Sequence, residues 1–255
     1  MTRPSGSQAI DRAARLLLQV VEATDPLTFS ELAASSGLAK STTSRMLAAL
    51  ERNGLLRREP GGAFIAGGAF VKYALRGNVE TDLVAVAQPF LERLGELSLE
   101  TINLGVVRNG MVEQIAQVDS RYVLGATNWL GRSVPMHCTA LGKVFLASGA
   151  SVLPAGRLER LTPQTITVRS QLEEQLIEVR RRGYALTNEE LESGLCAVAA
   201  PVRRQEGTVV AAISVSGPSS RFSPSRFDEV AQQCVAEANA LSATLGYRQK
   251  REGAA

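Results

Sequence analysis

The residues best suited to covalent or metal chemistry are His137 and Cys138, which are adjacent in the sequence. A histidine beside a cysteine could form a nucleophilic pair or supply two ligands to a zinc ion. His137 is the only histidine among the 255 residues, and no carboxylates cluster beside it at ligand spacing. A tetrahedral zinc site would therefore lack partners. We interpret His137 as a loop or core residue.

Two further segments invite a catalytic interpretation. Ala140-Leu141-Gly142-Lys143 resembles part of a phosphate-binding loop, but it lacks the upstream glycine and the Ser or Thr after the lysine. Asn188-Glu189-Glu190, followed by Glu192, could hold an acid and base pair, yet no nucleophile accompanies it. A solvated acidic loop is the simpler interpretation. We therefore expect no catalytic residue, no metal site and no cofactor.

The sequence gives better support for noncovalent binding of a partner. The supporting feature is a short run of hydroxyl and cationic side chains near residue 40. A helix that enters the major groove of DNA needs Arg or Lys for phosphates and guanine edges, with Ser or Thr beside them. The alternative is a solvated helix of an ordinary bundle. The candidate DNA-contacting residues of this run are Lys40, Ser41, Thr42, Ser44 and Arg45.

The elements around this run predict a helix-turn-helix. Thr28 and Glu31 have the spacing of a capping box, and Gly37 is suited to end the helix that they begin. A second helix is predicted from about Lys40 to Asn53. Its apolar face recurs at i, i+3, i+4 and i+7, which makes Thr43 a core position rather than a base contact. The residues of that face are Thr43, Met46, Leu47 and Leu50.

A helix precedes this pair and a small hairpin follows it. Residues 7–23 predict the first helix, with an apolar stripe of Ile10, Ala13, Ala14, Leu17 and Val20. Strands at 55–58 and 63–65 flank a turn of the type that proline and glycine form. This order of elements predicts a winged helix. Arg57 and Arg58 stand at the base of the wing, where they can reach phosphate or the minor groove.

Composition limits the remaining possibilities. The net charge of +3 is too small to imply nucleic-acid binding, although residues 1–70 hold eight Lys or Arg against six Asp or Glu. Three cysteines without paired spacing indicate a reducing compartment. No apolar run has the length of a membrane span, and the N-terminus lacks the apolar core of a signal peptide. We expect a cytoplasmic protein that has no membrane partner.

The rest of the chain predicts a mixed α and β domain. A long helix begins near Thr81, and Pro89 is expected to kink or break it. Two hairpins, at 101–118 and 197–216, together with helices at both ends, favour an antiparallel sheet covered by helices. The other predicted elements are a strand at 121–126, helices at 138–148 and 171–182, and a last helix capped by Ser223.

Several segments together resemble the IclR family of bacterial transcriptional regulators, and the resemblance covers nearly the whole chain. It implies an α+β fold, in which a winged helix-turn-helix domain (7–68) is joined by a linker helix (69–81) to a GAF-like α/β effector domain (82–250). The fragments that carry it include Ile10-Asp11-Arg12-Ala13, Leu38-Ala39-Lys40-Ser41-Thr42, Glu51-Arg52-Asn53-Gly54-Leu55, Pro135-Met136-His137-Cys138-Thr139-Ala140-Leu141-Gly142-Lys143, Ala199-Ala200-Pro201-Val202 and Ser214-Val215-Ser216-Gly217-Pro218.

The resemblance also implies partners. Members act as homodimers, or as dimers of dimers, on palindromic double-stranded operator DNA, and a small metabolite in the second domain changes operator occupancy. We therefore expect a sequence-specific regulator, more often a repressor, with a carboxylate-bearing effector. The alternative is a small-molecule-binding protein or an enzyme whose N-terminal helices serve only oligomerisation.

Effector contacts are implied by the family motif. Members that bind small 2-oxo acids use two serines, here Ser214 and Ser216, and backbone amides after a Gly-Leu step. Those amides are expected at Gly194, Leu195, Cys196 and Ala197. An acidic residue and a cysteine of such members are replaced here by Thr187 and Ala197. We therefore expect an effector other than glyoxylate or pyruvate. Our hypothesis is a larger or more apolar acid, aromatic if it packs on Trp129.

Overall fold

The computed structural model describes residues 5–74, 79–122, 128–153 and 155–248, without the side chains of 5–7, 73–74 and 79–82. These residues form two compact units that divide between Val79 and Glu80. Residues 75–78, where the predicted linker helix would continue, lie outside the described part. Within that part, no helix is long and apolar enough to cross a membrane.

The N-terminal unit is a winged helix, as predicted. Three helices precede a two-stranded antiparallel sheet, and a short fourth helix follows it. The elements are α1 (Ser5–Glu22), α2 (Phe29–Ser36), α3 (Lys40–Arg52), β1 (Leu56–Arg58), β2 (Phe64–Ala66) and α4 (Gly68–Ala74).

Local signals explain how the turn between α2 and α3 is built. The Thr28 hydroxyl accepts a hydrogen bond from the Glu31 amide at 3.3 Å, and the Glu31 carboxylate accepts one from the Thr28 amide at 2.7 Å. This completes the capping box at the start of α2. Gly37 ends α2 with a φ of 63°, which favours glycine. Backbone hydrogen bonds between Leu27 and Phe64 then fix the wing to the start of α2.

The apolar stripe predicted for α1 is only partly correct. Leu16 and Val20 enter the core, whereas Ile10 is 71% exposed and Ala14 is also exposed. Apolar residues occupy more than one face of this helix, since Leu18 is exposed as well. Helical periodicity alone therefore could not choose the face that packs against α2 and α3.

The C-terminal unit is a six-stranded antiparallel sheet with the strand order β5-β4-β3-β8-β7-β6. Two helices cover each face of it. The strands are β3 (Thr101–Arg108), β4 (Met111–Val118), β5 (Ser133–Val134), β6 (Ala185–Asn188), β7 (Leu195–Arg203) and β8 (Val209–Pro218). The helices are α5 (Val79–Ser98), α6 (Ala140–Ser148), α7 (Arg169–Arg182) and α8 (Pro224–Thr244).

The two faces of the sheet have separate cores. Side chains alternate along each strand, so Val198 of β7 packs with α5 and α8, whereas Ala199 packs with α6 and α7. The hairpins, the α+β fold class and the Ser223 cap agree with the prediction. Residues on the α6 and α7 side of the sheet form the candidate ligand site.

Three local predictions for this unit need correction. Of the predicted kink or break at Pro89, the break is wrong: Pro89 lies inside α5 without ending it, and Ala87 and Leu91 beside it are fully buried against the sheet. The short strands β5 and β6 were not predicted. Arg121 and Tyr122 are not in a strand, and the rest of the strand predicted at 121–126 lies outside the described residues.

Candidate nucleic-acid interface and ligand cavity

The first turns of α3 present the predicted polar face. Lys40, Ser41, Ser44 and Arg45 are exposed, and Thr42 is half-buried. The same helix turns Leu47 and Leu50 into the core of the N-terminal unit. A face of short hydroxyls and cations on a helix packed this way can approach a groove of DNA closely.

Thr43 is fully buried, as expected for a core position. Its hydroxyl donates to the carbonyl oxygen of Ala39 at 3.3 Å and lies 3.4 Å from the Ser36 hydroxyl. The side chain therefore packs α3 against the end of α2. It presents nothing to a ligand outside the unit.

The arginines of this unit differ in whether their guanidinium groups are already paired with another side chain. Arg58 forms an ion pair with Glu51 at 3.3 Å, and its guanidinium lies 4.5 Å from the centre of the Phe64 ring. Arg45 and Arg57 have no ion pair or hydrogen bond with another described residue, and both are exposed. Arg45 and Arg57 are thus better placed than Arg58 to reach phosphates.

A small, partly open cavity with both polar and apolar lining residues lies on the α6 and α7 side of the C-terminal sheet. Its volume is about 30 Å³, room for about one or two water molecules in this conformation. Its wall includes several buried side chains that can form hydrogen bonds. The lining residues are Asn103, Gln114, Trp129, Val134, Thr139, Ala140, Leu141, Thr187, Leu191, Leu195, Ala197, Ser214 and Ser216.

Ser214 and Ser216 are brought together by the alternation of β8. Both are buried, and they flank Val215, which points into the opposite core. Neither hydroxyl has a hydrogen-bond partner among the described residues, although both line the cavity. Buried hydroxyl groups are normally paired, so these two are available to a ligand.

The other predicted effector residues divide into two groups. Trp129, Thr187, Leu195 and Ala197 line the cavity with the serines, whereas Gly194 and Cys196 do not. The Gly194 amide donates to the Glu189 carboxylate at 2.8 Å, and the Leu195 amide donates to the Glu192 carbonyl at 3.1 Å. These two amides are used within their own loop.

Cys196 is turned away from the cavity by the same alternation that places Ala197 in its wall. Its side chain belongs to the core beneath α5 and α8, and its sulfur lies 3.1 Å from Asn188 Oδ1. Burial raises the pKa of this thiol to about 11. The side chain of Cys196 is a core residue.

Sequence reasoning missed Asn103 and Gln114, which are polar residues in buried strands. Their polar side chains within otherwise apolar strands were the available signal, but the face of the sheet on which each side chain lies depends on strand register. Asn103 Nδ2 donates to Gln117 Oε1 at 2.9 Å, and the same oxygen accepts from the Trp129 amide at 3.0 Å. Gln117 thereby anchors Trp129 beside the cavity.

Helix α6 contributes its N-terminus to the cavity. Thr139 caps it by accepting from the Gly142 amide at 3.1 Å, and Ala140 and Leu141 of the first turn line the wall. Unsatisfied amides and the helix dipole make this end favourable for an anion.

The residues considered for catalysis have structural roles. His137 Nε2 lies 2.9 Å from the carbonyl oxygen of Glu159. Glu190, which we expected in a solvated loop, is buried in an ion pair with Lys143. Nowhere in the described residues do three or more His, Cys, Asp or Glu side chains form a group that could hold a metal ion.

Comparison with protein families agrees with this architecture. Residues 9–60 match the IclR helix-turn-helix domain, and residues 78–243 match the C-terminal domain of the bacterial transcriptional regulator IclR. The chain is 33% identical to the HTH-type transcriptional regulator BhcR of Paracoccus denitrificans, over 93% of this chain and 87% of that protein. It is 30% identical to the transcriptional repressor IclR of Escherichia coli, over 94% and 90%.

Solved structures share the fold. The Agobacterium tumefaciens repressor BlcR has a TM-score of 0.73 and 28% identity, covering 96% of this chain and all of that one. An IclR homologue from Microbacterium hydrocarbonoxydans, crystallised with 4-hydroxybenzoate, has a TM-score of 0.57 and 22% identity, covering 92% and 99%. With both family models matched in order, the chain belongs to the IclR family of DNA-binding bacterial transcriptional regulators.

Proposed function

We propose that this chain represses transcription by binding palindromic operator DNA through α3 and the wing, and that a small organic acid in the C-terminal cavity changes operator occupancy. One observation carries the proposal. The same chain combines an exposed face of unpaired cations and hydroxyls on α3 with a cavity that holds two unpaired buried serines. The first suits a nucleic acid, and the second suits a small polar ligand.

DNA binding is assigned to Lys40, Ser41, Thr42, Ser44 and Arg45 of α3, with Arg57 and Arg58 of the wing. The α3 residues would enter the major groove, and the arginines of the wing would contact phosphates. A single winged helix makes few base contacts, so a homodimer or a dimer of dimers on two half-sites is part of the proposal.

The effector is proposed to carry a carboxylate. Ser214 and Ser216 can donate to it, and the N-terminus of α6 adds a favourable field beside them. The 4-hydroxybenzoate bound by the homologue from Microbacterium hydrocarbonoxydans is also a small organic acid. Relatives named as repressors favour repression as the sign of regulation. The same relationships favour a regulator rather than an enzyme, with its site of action in the cytoplasm.

The decisive experiment measures binding to the DNA that flanks the chain's own gene. Arg45→Ala should abolish sequence-selective binding in fluorescence anisotropy and leave the thermal unfolding temperature unchanged. Arg52→Ala, an exposed position at the far end of α3, is the matched control and should retain selectivity. Affinity should fall steeply with salt, because phosphate contacts release counterions.

Two results would contradict the proposal. The first is wild-type binding that does not distinguish the flanking DNA from an unrelated duplex. The second is full DNA binding by Arg45→Ala. The alternative, in which the N-terminal helices serve only oligomerisation, predicts both.

A further inference from the structure

We propose that Gln114 determines the ligand specificity of the cavity and selects carboxylic acids that carry a hydroxyl group over the same acids without it. The proposal rests on the proposed function, since it takes the cavity to be the effector site. It departs from the apolar acid that the sequence suggested. Four features of the structure support it.

The first feature is an unpaired amide. Gln114 is 94% buried, since only 6% of its surface is exposed, and it lines the cavity. Its Oε1 is fully enclosed and has no hydrogen-bond partner within the described residues. Buried polar atoms are nearly always paired, so an orphaned acceptor in a cavity wall indicates a group that a ligand satisfies.

The second feature is that the backbone of Gln114 is held on both sides. Its backbone amide donates to the Arg132 carbonyl at 3.3 Å, and its backbone carbonyl accepts from the Gly131 amide at 2.8 Å. The turn formed by Trp129 to Arg132 therefore fixes the backbone of Gln114 from one side. β3 pairs with it from the other.

The third feature is the alternation of β4, which a β-bulge interrupts after Gln114. Leu104 of β3 faces Ala116 and Gly105 faces Gln114, so Ile115 has no partner and the alternation of β4 shifts. Gln114 shares the cavity face with Val112, and beyond the bulge Ile115 and Ala116 both pack in the opposite core. Gly105 across from Gln114 leaves no room for a side chain, because an added Cβ would lie 2.9 Å from Val112 Cγ1.

The fourth feature is the chemistry that surrounds the amide. Asn103 uses one N–H of its Nδ2 on Gln117, and its acceptor oxygen has no hydrogen-bond partner among the described residues. A carboxylate has no proton to donate to either amide, whereas a hydroxyl both donates and accepts. An ammonium group would also donate, but no acidic side chain is found in the lining, so its charge would be uncompensated.

Together these features give the cavity two kinds of binding group. Ser214, Ser216 and the start of α6 serve the carboxylate, and Gln114 serves a hydroxyl, with Asn103 beside Ser214 on the neighbouring strand. A site built to bond a hydroxyl discriminates strongly against the analogue that lacks it, because its own buried groups are then left unpaired. A short hydroxy acid carries both groups, and the cavity must widen beyond about 30 Å³ to admit it.

The test compares four acids of one carbon skeleton by isothermal titration calorimetry on the full chain. They are propanoate, 2-hydroxypropanoate, 3-hydroxypropanoate and 2,3-dihydroxypropanoate. Wild type should bind at least one hydroxylated acid about tenfold or more tightly than propanoate. Gln114→Met, which keeps the length of the side chain without the amide, should lose that preference while propanoate affinity stays within about twofold. Gln171→Met, at an exposed position of α7, is the matched control and should behave as wild type.

A structural role would give different results. Because Gln114→Met removes an unpaired buried amide, the ligand-free variant should unfold at the same temperature as wild type or higher. Equal binding of all four acids by wild type, or an unchanged preference in Gln114→Met, overturns the role of Gln114. Failure of wild type to bind any of the four overturns the role of Gln114 but not the proposed function, which admits other organic acids. Hydroxy-acid binding that leaves operator affinity unchanged overturns only the proposed function.

Discussion

Lys143 of α6 and Glu190 of the loop after β6 form an ion pair inside the C-terminal unit, with Lys143 Nζ 2.6 Å from Glu190 Oε2. Lys143 has no exposed surface, and its Nζ also donates to Gln175 Oε1 at 2.7 Å. Burial lowers the pKa of Lys143 and raises that of Glu190. The pair ties α6 to a loop that supplies Leu191 to the cavity wall.

Removing one partner of this pair should be costly. Lys143→Met leaves the Glu190 carboxylate buried and uncompensated, so we expect a loss of about 3–5 kcal/mol in the free energy of unfolding. Lys143→Met combined with Glu190→Gln removes both charges and should recover at least half of that loss. Urea denaturation monitored by circular dichroism measures both values. A double variant no more stable than the single one would show that the charges are not what couples these residues.

Thiol reactivity gives a second prediction. Burial raises the pKa of Cys138 and of Cys234 to about 12, and that of Cys196 to about 11. The thiolate is the reactive form, so none of the three should react with a disulfide reagent in the folded protein near pH 8. All three should react after unfolding in urea. Stoichiometric labelling of any one of them in the native chain, located by mass spectrometry, would contradict this.

The same thiols predict a loss of stability at alkaline pH. Each folded-state pKa is raised from the ordinary value of 9.0, so the unfolded chain releases these protons first as the pH rises. Their contribution to stability is therefore complete below pH 9 and is lost between 9 and about 11 or 12. Cys234→Ala should flatten that decline, and urea midpoints measured at several pH values test it. A decline of the same size in Cys234→Ala would assign it to other groups.

The N-terminal unit was largely predictable because its signals are local. Thr28 and Glu31 are three residues apart, the spacing of a capping box, and they lie just before the helix that they cap. The polar face of α3 likewise follows from its own thirteen residues. The buried face of α1 could not be chosen, since it depends on which apolar stripe meets α2 and α3.

The candidate cavity depended on long-range pairing and was predicted only in part. Ser214 and Ser216 came from a family motif, and strand alternation places them together. Gln114 and Ala116 lie on opposite faces of the sheet because Ile115 is bulged, and a bulge leaves no clear mark in the sequence. Glu190 was expected in solvent because its partner, Lys143, lies 47 residues away and in a different element.

Close packing at Gly142 gives a further prediction. An added Cβ at this position of α6 would lie 2.2 Å from the carbonyl oxygen of Met136, and backbone cannot retreat as a side chain can. Gly142→Ala should therefore lower the free energy of unfolding by about 3 kcal/mol. Gly68→Ala, where nothing lies within 4 Å, is the control and should change it little. Equal stability of the two variants in urea would contradict the close approach of α6 to Met136.

Helix α3 gives the last prediction, which separates its core side from the side proposed to contact DNA. Thr43→Val keeps the buried shape but removes the hydroxyl that bonds to Ala39, so stability should fall by about 1 kcal/mol. Operator affinity should stay within about twofold, because the side chain faces the core.

Ser44→Ala, at the adjacent exposed position, should leave stability unchanged and weaken operator binding by the loss of one hydrogen bond, about fivefold or more. Urea denaturation and anisotropy with the same duplex measure the two properties on each variant. Loss of operator affinity in Thr43→Val at full folding would place its hydroxyl on the DNA side of α3 and contradict the packing described here.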